Sequence, residues 1–266
     1  MLRMTKKVAL RIAYLGDGFF GFSKQPGLRT VQSTLEDCLI RLGLMDPDGS
    51  VQSSSRTDRG VSALDNVVSF SCTGTVSLSR LNADLPEDLV AWAIASPAPD
   101  FNPRKACREK VYLYVCPELS MITPERLRSA IKLARSMGGP AFCREGSAEF
   151  PEVRLLDFSP FFRGLLFIGR HFCWEMIRRI VGFVIEYALY DHRVVRPAPP
   201  GGLVLLKTVC EGVSFTPELK WLRNFAKRWL ALSSAWVGQS ILISASARAL
   251  DCQELISSLL SRSESL

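Results

Sequence analysis

Apolar positions recur along this chain in two rhythms. Val8, Leu10, Ile12 and Tyr14 alternate with Ala9, Arg11 and Ala13, the period of two that a half-buried strand requires. Gly16-Asp17-Gly18 then breaks the run. Thr30 stands where a helix N-cap would. After it, Val31, Leu35, Cys38, Leu39 and Leu42 share one face at helical spacing, and Gly43 ends the run. The polar stretch 53–59 reads as a loop, 67–72 as a second strand, 79–85 as a short helix and 89–95 as a third strand. Pro97 and Pro99 punctuate the segment after it.

A similar order then returns. Residues 110–116 form a strand pattern with Val111, Leu113 and Val115 on one face and Tyr112 and Tyr114 on the other. Thr123-Pro124 is an N-cap with proline at the first helical position, opening a helix with Leu127, Ile131 and Ala134 inward. Apolar strands at 154–158 and 165–172 suggest a hairpin. Residues 174–190 read as a strong helix with Trp174, Ile177, Val181, Val184 and Ala188 as its buried stripe. Residues 203–210 read as a strand, and 217–237 as a helix opened by Thr216-Pro217. Asp251-Cys252-Gln253-Glu254 has capping-box spacing for a last helix. The fold class is therefore α+β, in two halves at 1–105 and 106–266. The expected arrangement is a sheet with helices on one side and a cleft where the halves meet. No repeat relates the halves in sequence.

Composition narrows the class. With 47% hydrophobic and 22% charged residues in 266, the chain can bury a proper core. A net charge of +7, spread along the chain, favours a polyanionic partner and a broad groove over a flexible arm. The eight cysteines include no C-x-x-C pair, so free thiols in a reducing cytosol are expected. The two histidines, His171 and His192, form no H-E-x-x-H, and no metal site is expected. Arg11 interrupts the apolar run after Lys6-Lys7, unlike a signal peptide, and no stretch approaches the roughly 18 apolar residues of a membrane span. The expectation is a soluble cytoplasmic protein.

The densest chemistry lies in Ser55-Arg56-Thr57-Asp58-Arg59-Gly60-Val61-Ser62-Ala63. An acid between two arginines should stay ionised and be held in place, while its loop presents a basic face. A turn aspartate paired with its neighbours is the plainer alternative. Three further segments bear on the choice. One is Phe101-Asn102-Pro103-Arg104 followed by Lys110-Val111-Tyr112-Leu113-Tyr114. The second is Phe172-Cys173-Trp174-Glu175-Met176-Ile177-Arg178-Arg179-Ile180-Val181-Gly182. The third is Tyr14-x-Gly16-Asp17-Gly18-Phe19-x-Gly21-Phe22, with Gln25-Pro26 and Arg29-Thr30-Val31-Gln32. Alternating tyrosines are ordinarily packing residues, and arginines on an amphipathic helix ordinarily face solvent. Arg178 and Arg179 point about 100° apart and cannot both face one partner. Gly182 in mid-helix costs about 1 kcal/mol relative to alanine, which suggests a close backbone contact there.

In order and spacing, the four segments resemble the TruA-type tRNA pseudouridine synthases. The match lies in the R-T-D-x-G-V-x-A loop, the F-x-x-R and Y-x-Y segment, the M-V-R-x-I-V-G helix and the Y-D-G-x-x-F-x-G opening. It covers about two thirds of the chain. The resemblance implies an extended, mostly antiparallel sheet with a central basic active-site cleft, tRNA as partner, a homodimer, and no cofactor. It implies that Asp58 is the catalytic carboxylate, acting as nucleophile at C1′ of the target ribose or as base at C2′. Tyr112 would stack on the uracil and assist proton transfer, and Arg178 would pair with Asp58. RNA contacts would fall to Arg56, Arg59, Arg104, Lys110 and Arg179, and the target to the anticodon stem-loop. Ser55 replaces a usual glycine, Arg59 a common alanine, and Ser62 a histidine frequent in bacterial members, which points to an archaeal- or eukaryotic-like branch. The stretch 137–149 is a short remnant of a family loop that contacts RNA. The helix bearing Lys220, Arg223, Lys227 and Arg228 faces RNA, a second subunit, or simply solvent.

Three alternatives remain at this point. The chain could act on other tRNA or RNA positions, or bind RNA without catalysis. It could also be a carboxylate hydrolase, which needs a second acid near the first; Asp65 is the only nearby candidate.

Overall fold

The computed structural model describes residues 5–159, 162–232 and 263–265. In chain order the first elements are β1 (Lys6–Tyr14), α1 (Val31–Arg41), β2 (Gln52–Ser53), β3 (Ser62–Cys72), α2 (Leu78–Asp84) and β4 (Leu89–Ala95). They are followed by α3 (Pro103–Ala106), β5 (Cys107–Val115), α4 (Pro117–Met121), α5 (Pro124–Met137), β6 (Glu152–Ser159), β7 (Phe162–Gly169) and α6 (Met176–Tyr190). The chain ends through β8 (Leu203–Cys210), β9 (Thr216–Pro217), α7 (Leu219–Leu232) and β10 (Ser263–Ser265).

Among the described residues these strands make one ten-stranded sheet, ordered β10-β6-β7-β5-β8-β3-β1-β4-β9, with β2 paired to β3. All these pairings are antiparallel except β3 with β8, which run parallel through Ser62 beside Val204 and Ala63 beside Leu205. Strands β1, β3 and β4 precede residue 105 and β5 to β8 follow it, so the two groups meet edge to edge at that parallel seam. The seam places the loop before β3 next to the chain entering β8.

Alternation decides the two faces. Val8, Leu10, Ile12 and Tyr14 of β1 and Tyr112 and Tyr114 of β5 point into the core shared with α1, α2, α5 and α6. Val111, Leu113 and Val115 point the other way, onto Trp92, Val204 and Phe225. Thr30 caps α1 by accepting from the Ser33 amide, and Ser33 returns the bond to complete a capping box, a contribution of about 1 kcal/mol. Gly43 follows α1 at φ 66°, the left-handed conformation that glycine adopts without penalty. Thr123 caps α5 as its sequence suggests.

Four features differ from expectation. Helices occupy both faces, because Phe225 buries α7 against the face opposite α1, α2, α5 and α6. Thr216-Pro217 does not open that helix; it forms β9 against Ile94 and Ala93 at the sheet edge, where a residue lacking an N–H is tolerated. Trp174 is no part of a buried stripe. Glu175 turns left-handed at φ 60°, so α6 begins at Met176 and Trp174 stays half exposed. Finally, Cys143 and Cys173 form a disulfide. These two half-buried residues, 30 apart in sequence, meet because the β6–β7 hairpin between them folds back. Cys38, Cys72, Cys107, Cys116 and Cys210 are free. The expected final helix at 251–254, Cys252 and residues 233–237 lie outside the described residues. Among the described residues no helix is long and apolar enough to cross a membrane.

Candidate active site

The glycine-rich opening after β1 is a buttress for the loop that carries Asp58. The Phe22 amide donates to the Thr57 carbonyl at 3.0 Å, and the Gly16 amide donates to Ser62 Oγ at 3.0 Å. A Cβ on Gly16 would meet the Gly60 backbone at 2.5 Å, so a side chain is excluded there. Beneath the loop, Tyr14 Oη lies 2.8 Å from Thr57 Oγ1, and Asn66 Nδ2 donates to the Ser55 carbonyl at 2.8 Å. Asp58 is thus presented from a loop whose backbone is bonded on both sides. Gly60, at φ 79°, turns the chain into β3.

Asp58 does not pair with its sequence neighbours. Arg56 is exposed, and Arg59 lies 4.2 Å over the Phe20 ring. The partner is Arg178 on α6, whose Nη1 donates to Asp58 Oδ2 at 3.1 Å. The guanidinium is steered from behind: its Nε donates to the Ala198 carbonyl at 2.8 Å, and the Ala198 amide donates to the Arg178 carbonyl at 2.8 Å. The segment before β8 is therefore strapped along α6. That approach requires Gly182, since a Cβ there would stand 1.9 Å from the Arg196 carbonyl oxygen. Burial raises the Asp58 carboxyl above the ordinary aspartate value; Arg178 pulls it back down, and the nearby Glu175 charge adds a smaller upward push.

Tyr112 faces Asp58 from β5. Its hydroxyl lies 2.6 Å from Ser55 Oγ, and its ring meets Phe172 edge to face at 5.1 Å between centroids. Burial pushes its phenol far above the usual range, so the group is a neutral O–H. Asp58, Tyr112 and Arg178 line one cleft of about 940 Å³, together with Arg56, Arg59, Arg104 and Lys110. Lys110 is nearly buried, and burial lowers its ammonium pKa, with Arg104 adding to the effect. Arg179 does not line this cleft; it leaves α6 at a different angle, and its Nε is buried without a hydrogen-bond partner.

Two participants escaped the sequence reading. Ser55 appeared there only as a departure, yet its side chain holds the Tyr112 hydroxyl. Glu175 received no role, yet its Oε1 lies 3.3 Å from Arg178 Nη1. Its spacing of three residues before Arg178 hints at a pair, but Glu175 turns left-handed just outside the helix in which that spacing would bring the two together. Asp65, the second acid considered, is buried on β3 in an ion pair with Arg11 and accepts from the Thr208 amide. It does not line the cleft. Among the described residues no group of three or more His, Cys, Asp or Glu side chains is placed to hold a metal ion.

Known proteins bear on this site. No family model matches the chain. The chain is 34% identical over 245 residues to tRNA pseudouridine synthase A of Pyrococcus abyssi, covering 83% of this chain and 91% of that protein. It is 34% identical over 232 residues to the protein of that name from Archaeoglobus fulgidus, covering 79% and 85%. The Pyrococcus horikoshii protein of that name is 33% identical over 244 residues, covering 83% and 91%. The chain belongs to the TruA-type tRNA pseudouridine synthase family.

Within that family, the four motifs have separable jobs in this chain. The opening glycines support the aspartate loop, the R-T-D loop carries the acid, and β5 supplies the tyrosine. The N-terminal part of α6 supplies the arginine. The archaeal relatives agree with the branch that Arg59 and Ser62 suggest. In this chain Ser62 caps the Gly16 amide and Arg59 stacks on Phe20, so both departures serve the loop's packing.

Proposed function

We propose that this chain is a tRNA pseudouridine synthase that isomerises uridine in the anticodon stem-loop. The observation that carries the reading is the Asp58–Arg178 pair at 3.1 Å, opening onto a cleft that also presents Tyr112. In pseudouridine formation the C1′–N1 bond breaks, the uracil turns, and a C1′–C5 bond forms. Cleavage develops positive character at the sugar, which an adjacent carboxylate stabilises. Asp58 serves as nucleophile at C1′ or as base at C2′, and Arg178 keeps it ionised and aimed. The neutral Tyr112 hydroxyl, oriented by Ser55, assists transfer of the C5 proton beside the detached uracil. The reaction is a net-neutral isomerisation, so these residues suffice for it without an added group.

The target base must first leave its stack, at a cost of a few kcal/mol. Contacts to the flanking phosphates offset this cost. Arg56, Arg59, Arg104 and Lys110 line the cleft and would make such contacts. Arg179 lies off the cleft and would reach RNA only beyond the flipped nucleotide. We further propose that the halves 1–105 and 106–266 are the two walls of the cleft, and that the working form is a cytoplasmic homodimer. Incubating unmodified tRNA transcripts with the protein and mapping pseudouridine by carbodiimide-blocked primer extension tests the target. Stops within the anticodon stem-loop are expected. Stops elsewhere in the tRNA would relocate the target, and no stops on any tRNA would overturn the reading.

A further inference from the structure

Glu175 has an unusual backbone and an unusual set of neighbours. It is one of two described non-glycine residues with positive φ, the other being Asp191 at the far end of the same helix. A glutamate held left-handed carries a backbone cost that its contacts must offset. From this position before α6 a carboxylate could cap the helix, yet its side chain makes no capping bond. It reaches instead to two arginines: Arg178 Nη1 at 3.3 Å and Arg144 Nη1 at 4.0 Å. Arg144 is itself held in place, with its guanidinium 4.2 Å over Trp174 and its neighbour Cys143 bonded to Cys173. The segment at 143–144 thus clasps the turn at 173–175, and Glu175 is the link from that clasp to Arg178.

We propose that Glu175 is a positioning residue for the reaction, anchoring the Arg178 guanidinium and setting how much of its charge is left for Asp58. The inference rests on the reading of Asp58 as the reacting carboxylate. One nitrogen, Arg178 Nη1, donates both to Asp58 Oδ2 and to Glu175 Oε1. Two acids therefore share one cation, and each answers to the other's charge. The Ala198 carbonyl fixes Nε, so the guanidinium is held at three points and cannot rotate away when substrate enters.

Other charges face these carboxylates. Arg56 and Arg59 lie on the loop of Asp58, Asp17 on the turn after β1, Arg104 on α3, and Lys110 and Tyr112 on β5. None of the four cations among them bonds either carboxylate. Arg144 and Arg178 are the cations that do, and Trp174 makes a minor contribution at Asp58. The Glu175 charge pushes the Asp58 carboxyl upward, after burial and against Arg178. Removing that charge should lower the pH at which Asp58 ionises. Removing Arg144 should raise it, because an unshared Glu175 would draw Arg178 toward itself.

The test is the titration of Asp58 in Glu175→Gln and Arg144→Gln, read in two ways. One is the acid limb of kcat/KM on tRNA. The other is carbon NMR of the carboxyl-labelled protein, with the Asp58 resonance assigned by its loss in Asp58→Asn. The midpoint is expected to move to lower pH in Glu175→Gln and to higher pH in Arg144→Gln, in both readouts. Glu175→Ala, which also loses the hydrogen bond, should reduce kcat about tenfold with little change in KM. A midpoint that stays put, or moves the same way in both glutamine variants, overturns the proposal. If the wild-type protein modifies no tRNA, the functional reading has failed, while the NMR titration still decides whether Glu175 governs Asp58.

Discussion

The Tyr112 hydroxyl and the Ser55 hydroxyl lie 2.6 Å apart, and both residues are buried. The contact depends on the hydroxyl that Ser55 carries. The bond fixes where the phenol proton points. Ser55→Gly should leave the ring in place but free its hydroxyl, lowering kcat several-fold with KM for tRNA little changed. In a stability cycle with Tyr112→Phe, the pair should couple by about 1 kcal/mol. Strict additivity in urea melts would show that the two hydroxyls do not interact.

Gly182 holds the strap that aims Arg178. A Cβ at this position would meet the Arg196 carbonyl oxygen at 1.9 Å, and neither backbone can yield cheaply. Gly182→Ala should push the segment near 196–198 off α6 and take the Ala198 carbonyl away from Arg178. A loss of about 2–3 kcal/mol in stability is expected from the overpacking. Turnover should fall by on the order of a hundredfold from the misplaced arginine, because small errors in position are amplified in rate. Thermal melts and single-turnover rates measure the two effects separately. Wild-type rates in a destabilised variant would uncouple the strap from the site.

The pH dependence follows from the sign of the Asp58 shift. Burial disfavours the charged carboxylate and raises its pKa above the ordinary 3.8, and Arg178 only partly restores it. In the proposed reaction, by either route, the ionised Asp58 acts, so activity should be full at neutral pH. It should be lost on acidification at a pH above that of an exposed aspartate. The same sign makes Asp58 a cost to folding once it ionises: the folded state holds its proton more tightly than the unfolded chain, so stability falls as pH rises through the folded-state pKa. Rate profiles on pre-bound tRNA would show the limb. A limb at or below the ordinary aspartate value would contradict the burial argument.

The Cys143–Cys173 bond closes a loop spanning 30 residues of sequence. Cross-linking a loop of that size stabilises a fold by about 3 kcal/mol, so Cys143→Ser or a strong reductant should lower the melting temperature by on the order of 5–10 °C. Calorimetry with and without dithiothreitol measures this. An unchanged melting temperature would mean that the bond contributes nothing to the folded state.

Strand and helix positions were largely legible because alternation and helical spacing act locally. The β5 tyrosines and the α1 capping residue fall where the pattern puts them. Gly182 was legible too, since a glycine in mid-helix is unfavourable without a close neighbour. What was not legible depends on chain segments far apart. Nothing local says that α7 crosses to the other face, or that Thr216-Pro217 finds a sheet edge before a helix can start. Asp58 and Arg178 are 120 residues apart, and only the family resemblance joined them in sequence; local reading assigned Asp58 to Arg56 and Arg59 instead. The disulfide escaped for the same reason, as its cysteines meet only after β6 and β7 fold back. Glu175 escaped because its left-handed turn, and hence its direction, cannot be read from a pattern that treats it as helical.

In the proposed reaction the Asp58 carboxylate, held by Arg178, drives breakage of the C1′–N1 bond and remaking at C5. Release of tritium from tRNA labelled at C5 of uracil tests it most directly, because that hydrogen must leave when C5 becomes the glycosidic carbon. Wild type and Asp58→Asn are compared at equal tRNA occupancy. Release by wild type and none by Asp58→Asn, with binding retained, is the predicted result. Release by both proteins at similar rates, or by neither despite tight binding, would contradict it.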